Sequence, residues 1–185
     1  MHLDGARLWE AAASGACTLR EIGACFDSVQ LCFTKGLAAP IGSMVTGTAS
    51  FIARAKWSRK LVGGSTRSPG VIAARARAAP DHVFLGGRLQ AAQQKAHAAS
   101  ALWESLGGRP TLPTETKMLC SDLPASGNPP EDFYPRAAQF GLKIGQPILG
   151  RIVFHYQISD ATFARPCDFF RFVLKDARRP SSPVI

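Results

Sequence analysis

Three side chains in this sequence have the types and local settings that could support covalent chemistry on an amino acid. Asp4 lies in His2-Leu3-Asp4-Gly5, at what reads as the carboxyl end of a short strand, and Lys35 lies in the loop Thr34-Lys35-Gly36-Leu37-Ala38-Ala39-Pro40 that follows a β-rich run. Arg151 opens a half-buried strand far downstream. In open α/β sheets ligands gather outside the carboxyl ends of strands, so Asp4 and Lys35 could face one crevice. A lysine there can form a Schiff base if its surroundings free the amine. A carboxylate nearby can keep the pyridinium nitrogen of pyridoxal phosphate protonated, so that the ring works as an electron sink. An arginine fork can clamp a carboxylate through two parallel hydrogen bonds. Taken singly, each residue fits a plain structural role as well or better: a surface-loop lysine, a turn or N-cap aspartate, an exposed strand cation.

The elements that would position these side chains follow from local patterns. Thr18 to Glu21 fits the S/T-x-x-E capping box, which starts a short helix ending before Asp27. Residues 28–33 and 41–46 read as strands flanking the Lys35 loop. Residues 50–61 predict a helix with Arg54, Lys56, Arg59 and Lys60 outward, and a second helix is expected with Pro69 at its first position and Pro80 at its end. A long helix over 82–106, weakened at Gly86-Gly87, should stop at Gly107-Gly108. Beyond it, strands are expected at 118–123, near Leu142 and at 151–157, with helices at 131–140 and 161–174 and a frayed tail after Lys175. The 151–157 strand has period two, placing Ile152, Phe154 and Tyr156 on one face and Arg151, Val153 and His155 on the other. The fold class is therefore α/β in the first half with a small α+β unit after it, the break falling near residues 80–88.

Composition narrows the function classes. Of the 185 residues, 46% are apolar and 19% charged, an ordinary globular mix, while 22 Lys and Arg against 13 Asp and Glu leave a net charge of +9. Seven of those positive charges and no negative one fall in residues 51–80. Few aromatic residues accompany them and no nucleic-acid-binding motif appears, so the expectation is no nucleic acid. No stretch approaches the length of a membrane span, and no membrane association is expected. The five cysteines are odd in number and never spaced as CxxC, which reads as reduced, mostly buried thiols in a cytoplasmic protein without a disulfide or metal site.

In order along the chain, His2-Leu3-Asp4-Gly5-Ala6-Arg7-Leu8-Trp9, Asp27-Ser28-Val29, Thr34-Lys35-Gly36-Leu37 with Ala39-Pro40 and Gly42-Ser43, then Phe51-Ile52-Ala53-Arg54-Ala55, Arg59-Lys60, Gly63-Gly64 and Arg67, and finally Arg151-Ile152-Val153 with His155, form a pattern. It resembles the low-specificity L-threonine aldolase family of pyridoxal-phosphate enzymes, strongly over residues 2–80 and loosely afterwards. The resemblance implies an aspartate-aminotransferase-like, fold-type-I architecture, with residues 1–85 the C-terminal part of the cofactor-binding large domain and 86–185 the small C-terminal domain.

By the same resemblance Lys35 matches the Schiff-base lysine and Asp4 the partner of the pyridine nitrogen. Arg7 matches an arginine near the ring hydroxyl and the substrate carboxylate, and Arg151 the carboxylate-binding arginine of the small domain. Arg67 matches an arginine that helps at the phosphate of a neighbouring subunit, although the family's Gly-Gly-Gly-Met-Arg-Gln is here Gly-Gly-Ser-Thr-Arg-Ser. His155 is expected as a strand-face residue rather than the catalytic base. The implied activity is cleavage of L-threonine or L-allo-threonine, a small β-hydroxy amino acid, to glycine and acetaldehyde by a homo-oligomer, with an alanine racemase of the same fold as the alternative. The resemblance also implies that family members are about twice this length. Their upstream half, carrying the phosphate-cradling turn and the ring-stacking histidine, would be missing, so a catalytically dead fragment or a subunit associating with a full-length relative is a further expectation.

Overall fold

In the computed structural model, which describes residues 1–145 and 150–176, the chain divides into two units, Met1–Gln90 and Ala91–Ile185. In the first, the β-rich run after Asp27 forms β2 (Ser28–Cys32), four of whose five residues are buried. Such a strand suits the middle of a sheet. β1 (His2–Gly5) lies parallel to it, Asp4 opposite Gln30 and Gly5 opposite Leu31. β3 (Ser43–Gly47) lies antiparallel on the other side, Ser28 opposite Gly47 and Cys32 opposite Ser43, giving the order β1-β2-β3.

A parallel pair needs a crossover, and α1 (Leu8–Ala13) and α2 (Leu19–Ala24) supply it. The predicted capping box is formed. Thr18 Oγ1 accepts the Glu21 N–H at 3.1 Å, and Glu21 Oε2 accepts the Thr18 N–H at 2.8 Å. α1 buries Leu8 and Trp9, and the indole meets Phe33 at 6.0 Å and, edge-on, Phe84 at 5.3 Å.

α3 (Ala49–Leu61) is capped by Thr48, whose Oγ1 accepts the Phe51 N–H at 3.3 Å, and it buries no residue. α4 (Gly70–Ala79) follows, with Pro69 as its cap rather than its first residue. Pro80 does not end the helical path. Having no N–H to donate, it is absorbed in a π-helical turn, Pro80–Phe84, closed by the Leu85 N–H on the Pro80 carbonyl at 2.9 Å. The expected long helix is accordingly divided. Gly87 takes φ +71° and α5 starts at Arg88, running to Ser105.

The second unit carries an antiparallel sheet, β4-β5-β6. β5 (Met118–Asp122) pairs with β4 (Arg109–Leu112) and with β6 (Arg151–Val153), where Leu119 stands opposite Ile152 and Cys120 opposite Arg151. β4 was not legible as a strand because prolines at 110 and 113 mark it as loop; as an edge strand it tolerates them. α5, α6 (Pro130–Gln139) and α7 (Asp160–Asp176) contribute the helical side of the core. That core is aromatic. Trp103 meets Phe170 edge-on at 5.0 Å and Phe133 at 6.2 Å, and Phe133 meets Phe169 at 5.0 Å.

No strand forms at Leu142. Its N–H instead caps α6 on the Ala137 carbonyl at 2.9 Å. The strand expected over 151–157 pairs only through Val153, yet the alternation holds: Ile152 and Phe154 are buried, while Arg151, Val153 and His155 are exposed. All five cysteines are free thiols, and only Cys32 is buried. Among the described residues no helix is long and apolar enough to cross a membrane, and none of their His, Cys, Asp and Glu side chains cluster as a metal site. The tail expected after Lys175 lies, from residue 177 on, outside the described residues.

Candidate active site

The parallel pairing of β1 and β2 fixes the geometry on which the site depends. Asp4 is the third residue of a four-residue strand, and Lys35 comes three residues after the last residue of its parallel neighbour. Both therefore emerge at the same, carboxyl edge of the sheet, where ligands of open α/β folds collect. Arg7 follows β1 at that edge and caps α1, its carbonyl accepting the N–H groups of Glu10 and Ala11 at 3.1 and 3.2 Å. Asp4, Arg7 and Lys35 are all exposed. One Asp4 oxygen accepts the Ala6 N–H at 3.1 Å, which fixes the carboxylate, and the other has no partner among the described residues.

The loop holding Lys35 is closed at both ends. The Phe33 N–H donates to the Gly42 carbonyl at 3.0 Å and the Ala39 N–H to the Phe33 carbonyl at 2.9 Å, while Ala38 turns back onto the Lys35 carbonyl at 3.1 Å. Leu37, 1% exposed, anchors it. These ties explain why β3 starts two residues later than expected: Gly42, at φ +129°, is spent on closing the loop.

Two features of the loop escaped the sequence. Glu10 is 1% exposed, and a Cβ on Gly36 would lie 2.5 Å from its Oε1. Only glycine lets the residue after Lys35 press onto that carboxylate. The signal was present as a lone acid between Trp9 and Ala11, but neighbouring acids in solvated turns look the same. The second feature is Cys32, whose Sγ lies 3.1 Å from Thr34 Oγ1. Burial pushes its thiol up, but the hydrogen bonds of Thr34 and the Lys35 charge outweigh burial, and the thiol ends below its ordinary range. The Lys35 ammonium is thus felt at the end of β2.

Arg67 lies exposed in the α3–α4 connection of the first unit, beside Ser68 at φ +51°. Arg151 belongs to the second unit. It is held at the start of β6 by Gly150, which sits at φ +61° with its missing Cβ directed to within 2.1 Å of the Ser121 carbonyl. The Ser121 N–H in turn donates to the Gly150 carbonyl at 3.1 Å. His155 stands exposed beyond β6.

The likeness to solved structures gives the fold first. The fold is that of the fold-type-I pyridoxal-phosphate enzymes. It matches the crystal structure of a candidate L-allo-threonine aldolase from Listeria monocytogenes with a TM-score of 0.69 at 19% identity, over 95% of this chain and 51% of that one. Sequence then gives the family. The chain belongs to the beta-eliminating lyase family, which it matches over residues 1–125. It is 48% identical to aldolase vrtJ of Penicillium aethiopicum, over 94% of this chain and 44% of the relative. It is also similar to the low-specificity L-threonine aldolase of Eremothecium gossypii, at 31% over 89% and 42%, and to alanine racemase TOXG of Cochliobolus carbonum, at 35% over 94% and 46%. The chain spans about half the length of the curated relatives it matches.

Proposed function

We propose that this chain supplies the lysine loop and the small domain of a pyridoxal-phosphate-dependent carbon–carbon lyase of the threonine aldolase type, acting on L-threonine or L-allo-threonine. The observation that carries the reading is the emergence of Asp4 and Lys35 at one carboxyl edge of the β1–β2 pair. The residues fit the cofactor: an exposed amine on a tethered loop and, at the same edge of the sheet, a carboxylate with one oxygen fixed by the Ala6 N–H. Lys35 would hold the cofactor covalently, Asp4 would accept a hydrogen bond from the pyridinium N–H and so keep that nitrogen protonated, and Arg7 would stand near the ring hydroxyl. Bound there, the cofactor supplies an electron sink for the pair of electrons left when a bond to the substrate Cα breaks.

The protein's part is positioning. Arg151 and Arg7 would fix the substrate carboxylate, Arg151 from a strand start that Gly150 holds against β5. Arg67 is assigned to the cofactor phosphate of a neighbouring subunit, either a second copy of this chain or a full-length relative, and the proposed location is the cytoplasm. Glycine and acetaldehyde are the expected products.

The likeness to an alanine racemase favours one second reading, in which the same residues exchange a proton at Cα and no carbon–carbon bond breaks. Glycine release from L-threonine set against D-alanine formation from L-alanine separates the two. The primary test comes earlier in the scheme. Borohydride reduction of protein incubated with pyridoxal phosphate, followed by peptide mapping, should label Lys35 selectively, and Lys35→Ala should lose that label. Labelling spread evenly over the surface lysines would sink the reading.

A further inference from the structure

Helix α1 turns Leu8, Trp9, Glu10 and Ala13 inward, and one of these four is an acid. Among the described residues Glu10 is the only buried carboxylate, at 1% exposed. Burying a carboxylate is costly even when it is paired, and an apolar residue of similar volume would often pack there at less cost. Stability alone does not select an acid at this position.

Its surroundings do. The whole carboxylate lies against Gly36: a Cβ on that glycine would stand 2.5 Å from Oε1, 2.6 Å from Cδ and 3.1 Å from Oε2. The preceding residue of α1, Trp9, meets Phe33 at 6.0 Å. α1 thus braces the loop on both sides of Lys35, at Phe33 two residues before it and at Gly36 directly after it. Through its backbone Glu10 is also joined to Arg7, donating its N–H to the Arg7 carbonyl at 3.1 Å. One residue therefore touches both the loop that carries Lys35 and the arginine proposed to stand near the same cofactor.

We propose that Glu10 is a positioning residue: its carboxylate is the seat on which Gly36 rests, and through that seat it fixes where Lys35 stands relative to Arg7 and to the end of β2. Its bearing on catalysis rests on the assignment of Lys35 above. The seat itself does not.

The test needs no cofactor, because Cys32 reports the lysine. Burial raises that thiol, Thr34 and the Lys35 charge lower it, and Glu10 is not among the groups acting on it. Iodoacetamide alkylation of the whole chain across pH, mapped by peptide mass spectrometry, reads the Cys32 midpoint. Glu10→Ala should raise the midpoint and slow alkylation at neutral pH by about two- to threefold, as the thiolate fraction falls. Glu10→Gln keeps the shape of the seat and should alkylate at the original rate. Gly36→Ala should slow the reaction as Glu10→Ala does. Adding Glu10→Asp to it, a shorter acid that leaves room for the methyl, should undo most of that loss, a coupling expected of residues in contact. Near-ultraviolet circular dichroism checks that each variant is folded, and if Glu10→Ala is not, Gly36→Ala with and without Glu10→Asp decides. Cys32 alkylation unmoved in folded Glu10→Ala, or Gly36→Ala as slow with Glu10→Asp as without it, overturns the proposal. A failed Lys35 label with these Cys32 responses intact sinks the cofactor reading and leaves the seat standing, whereas a selective Lys35 label with unmoved Cys32 overturns the seat alone.

Discussion

The two units each present three strands and a set of helices, yet they bury their side chains very differently. In the second, α5, α6 and α7 close over one face of the sheet, and Trp103, Phe133, Phe169 and Phe170 are wholly buried. In the first, α3 buries nothing, α4 buries Ala79 alone, and every residue of β3 is exposed. Trp57, Leu61 and Val62 stand 65–79% exposed on or beside the same helix that carries Arg54, Lys56, Arg59 and Lys60. The second unit thus has a core made from its own residues, whereas Asp4, Arg7 and Lys35, the residues proposed for the chemistry, lie on the unit with less burial. Precise placement of an active side chain here depends on loop ties and not on depth of packing.

The largest expected effect tests that contrast directly. Phe170→Ala removes a ring that contacts Trp103 and Phe169 at full burial, and should destabilise the second unit by about 3–5 kcal/mol in urea melts followed by circular dichroism. Trp57→Ala removes a larger side chain from an exposed helix face and should change stability by no more than about 0.5 kcal/mol. Comparable losses at the two sites would mean that the first unit buries its exposed face in solution, and the contrast would fail.

A smaller effect separates placement from stability. Gly150→Ala forces a side chain into the left-handed region and onto the Ser121 carbonyl, at a cost of about 2–3 kcal/mol to the second unit. Gly36→Ala meets Glu10 instead. It should leave the melt of the second unit unchanged and reduce borohydride-trapped labelling of Lys35, because the loop must lift from the carboxylate beneath it. If Lys35 labels normally in Gly36→Ala, the tie to Glu10 is not what places the lysine.

Much of this was legible in the residues. The capping box at Thr18, the period-two burial around Ile152 and Phe154, and the strand–loop–strand arrangement about Lys35 all follow from local side-chain patterns, which backbone geometry enforces at short range. What was not legible depends on partners distant in sequence. Nothing near Glu10 announces that Gly36 will rest on it. Pro80 looked like a helix stop, because the π-helical turn that carries the chain past it, with Val83 buried and Phe84 against Trp9, has no local signature in the sequence. β4 was hidden by Pro110 and Pro113, which an edge position permits and a central one would not. Lys35 and Asp4 leave the sheet at one edge because β1 runs parallel to β2, a pairing that the strand-end reading anticipated and local propensity could not fix.

The smallest expected effect compares one thiol from each unit. Cys167 is pushed up by burial, Asp168 adding to the rise and Arg171 only partly offsetting it. Cys32 is the less exposed of the two, yet it ends low because Thr34 and the Lys35 charge favour the thiolate over the burial that would raise it. The signs for stability are opposite. A depressed folded pKa contributes stability above the unfolded thiol value that is lost as pH falls through the folded one, whereas a raised pKa contributes below the unfolded value and is lost as pH rises through the folded one. As pH climbs through the thiol range, the first unit should therefore gain slightly at Cys32 while the second loses slightly at Cys167. Iodoacetamide labelling resolved by peptide mass spectrometry reads this without a melt: the pH midpoint of the rate at Cys32 should fall below that at Cys167, whatever their absolute rates. Lys35→Ala should raise the Cys32 midpoint and leave Cys167 where it was. A Cys32 midpoint that ignores Lys35→Ala would show that Thr34 alone lowers the thiol, and that the ammonium lies farther from the end of β2 than the electrostatics place it.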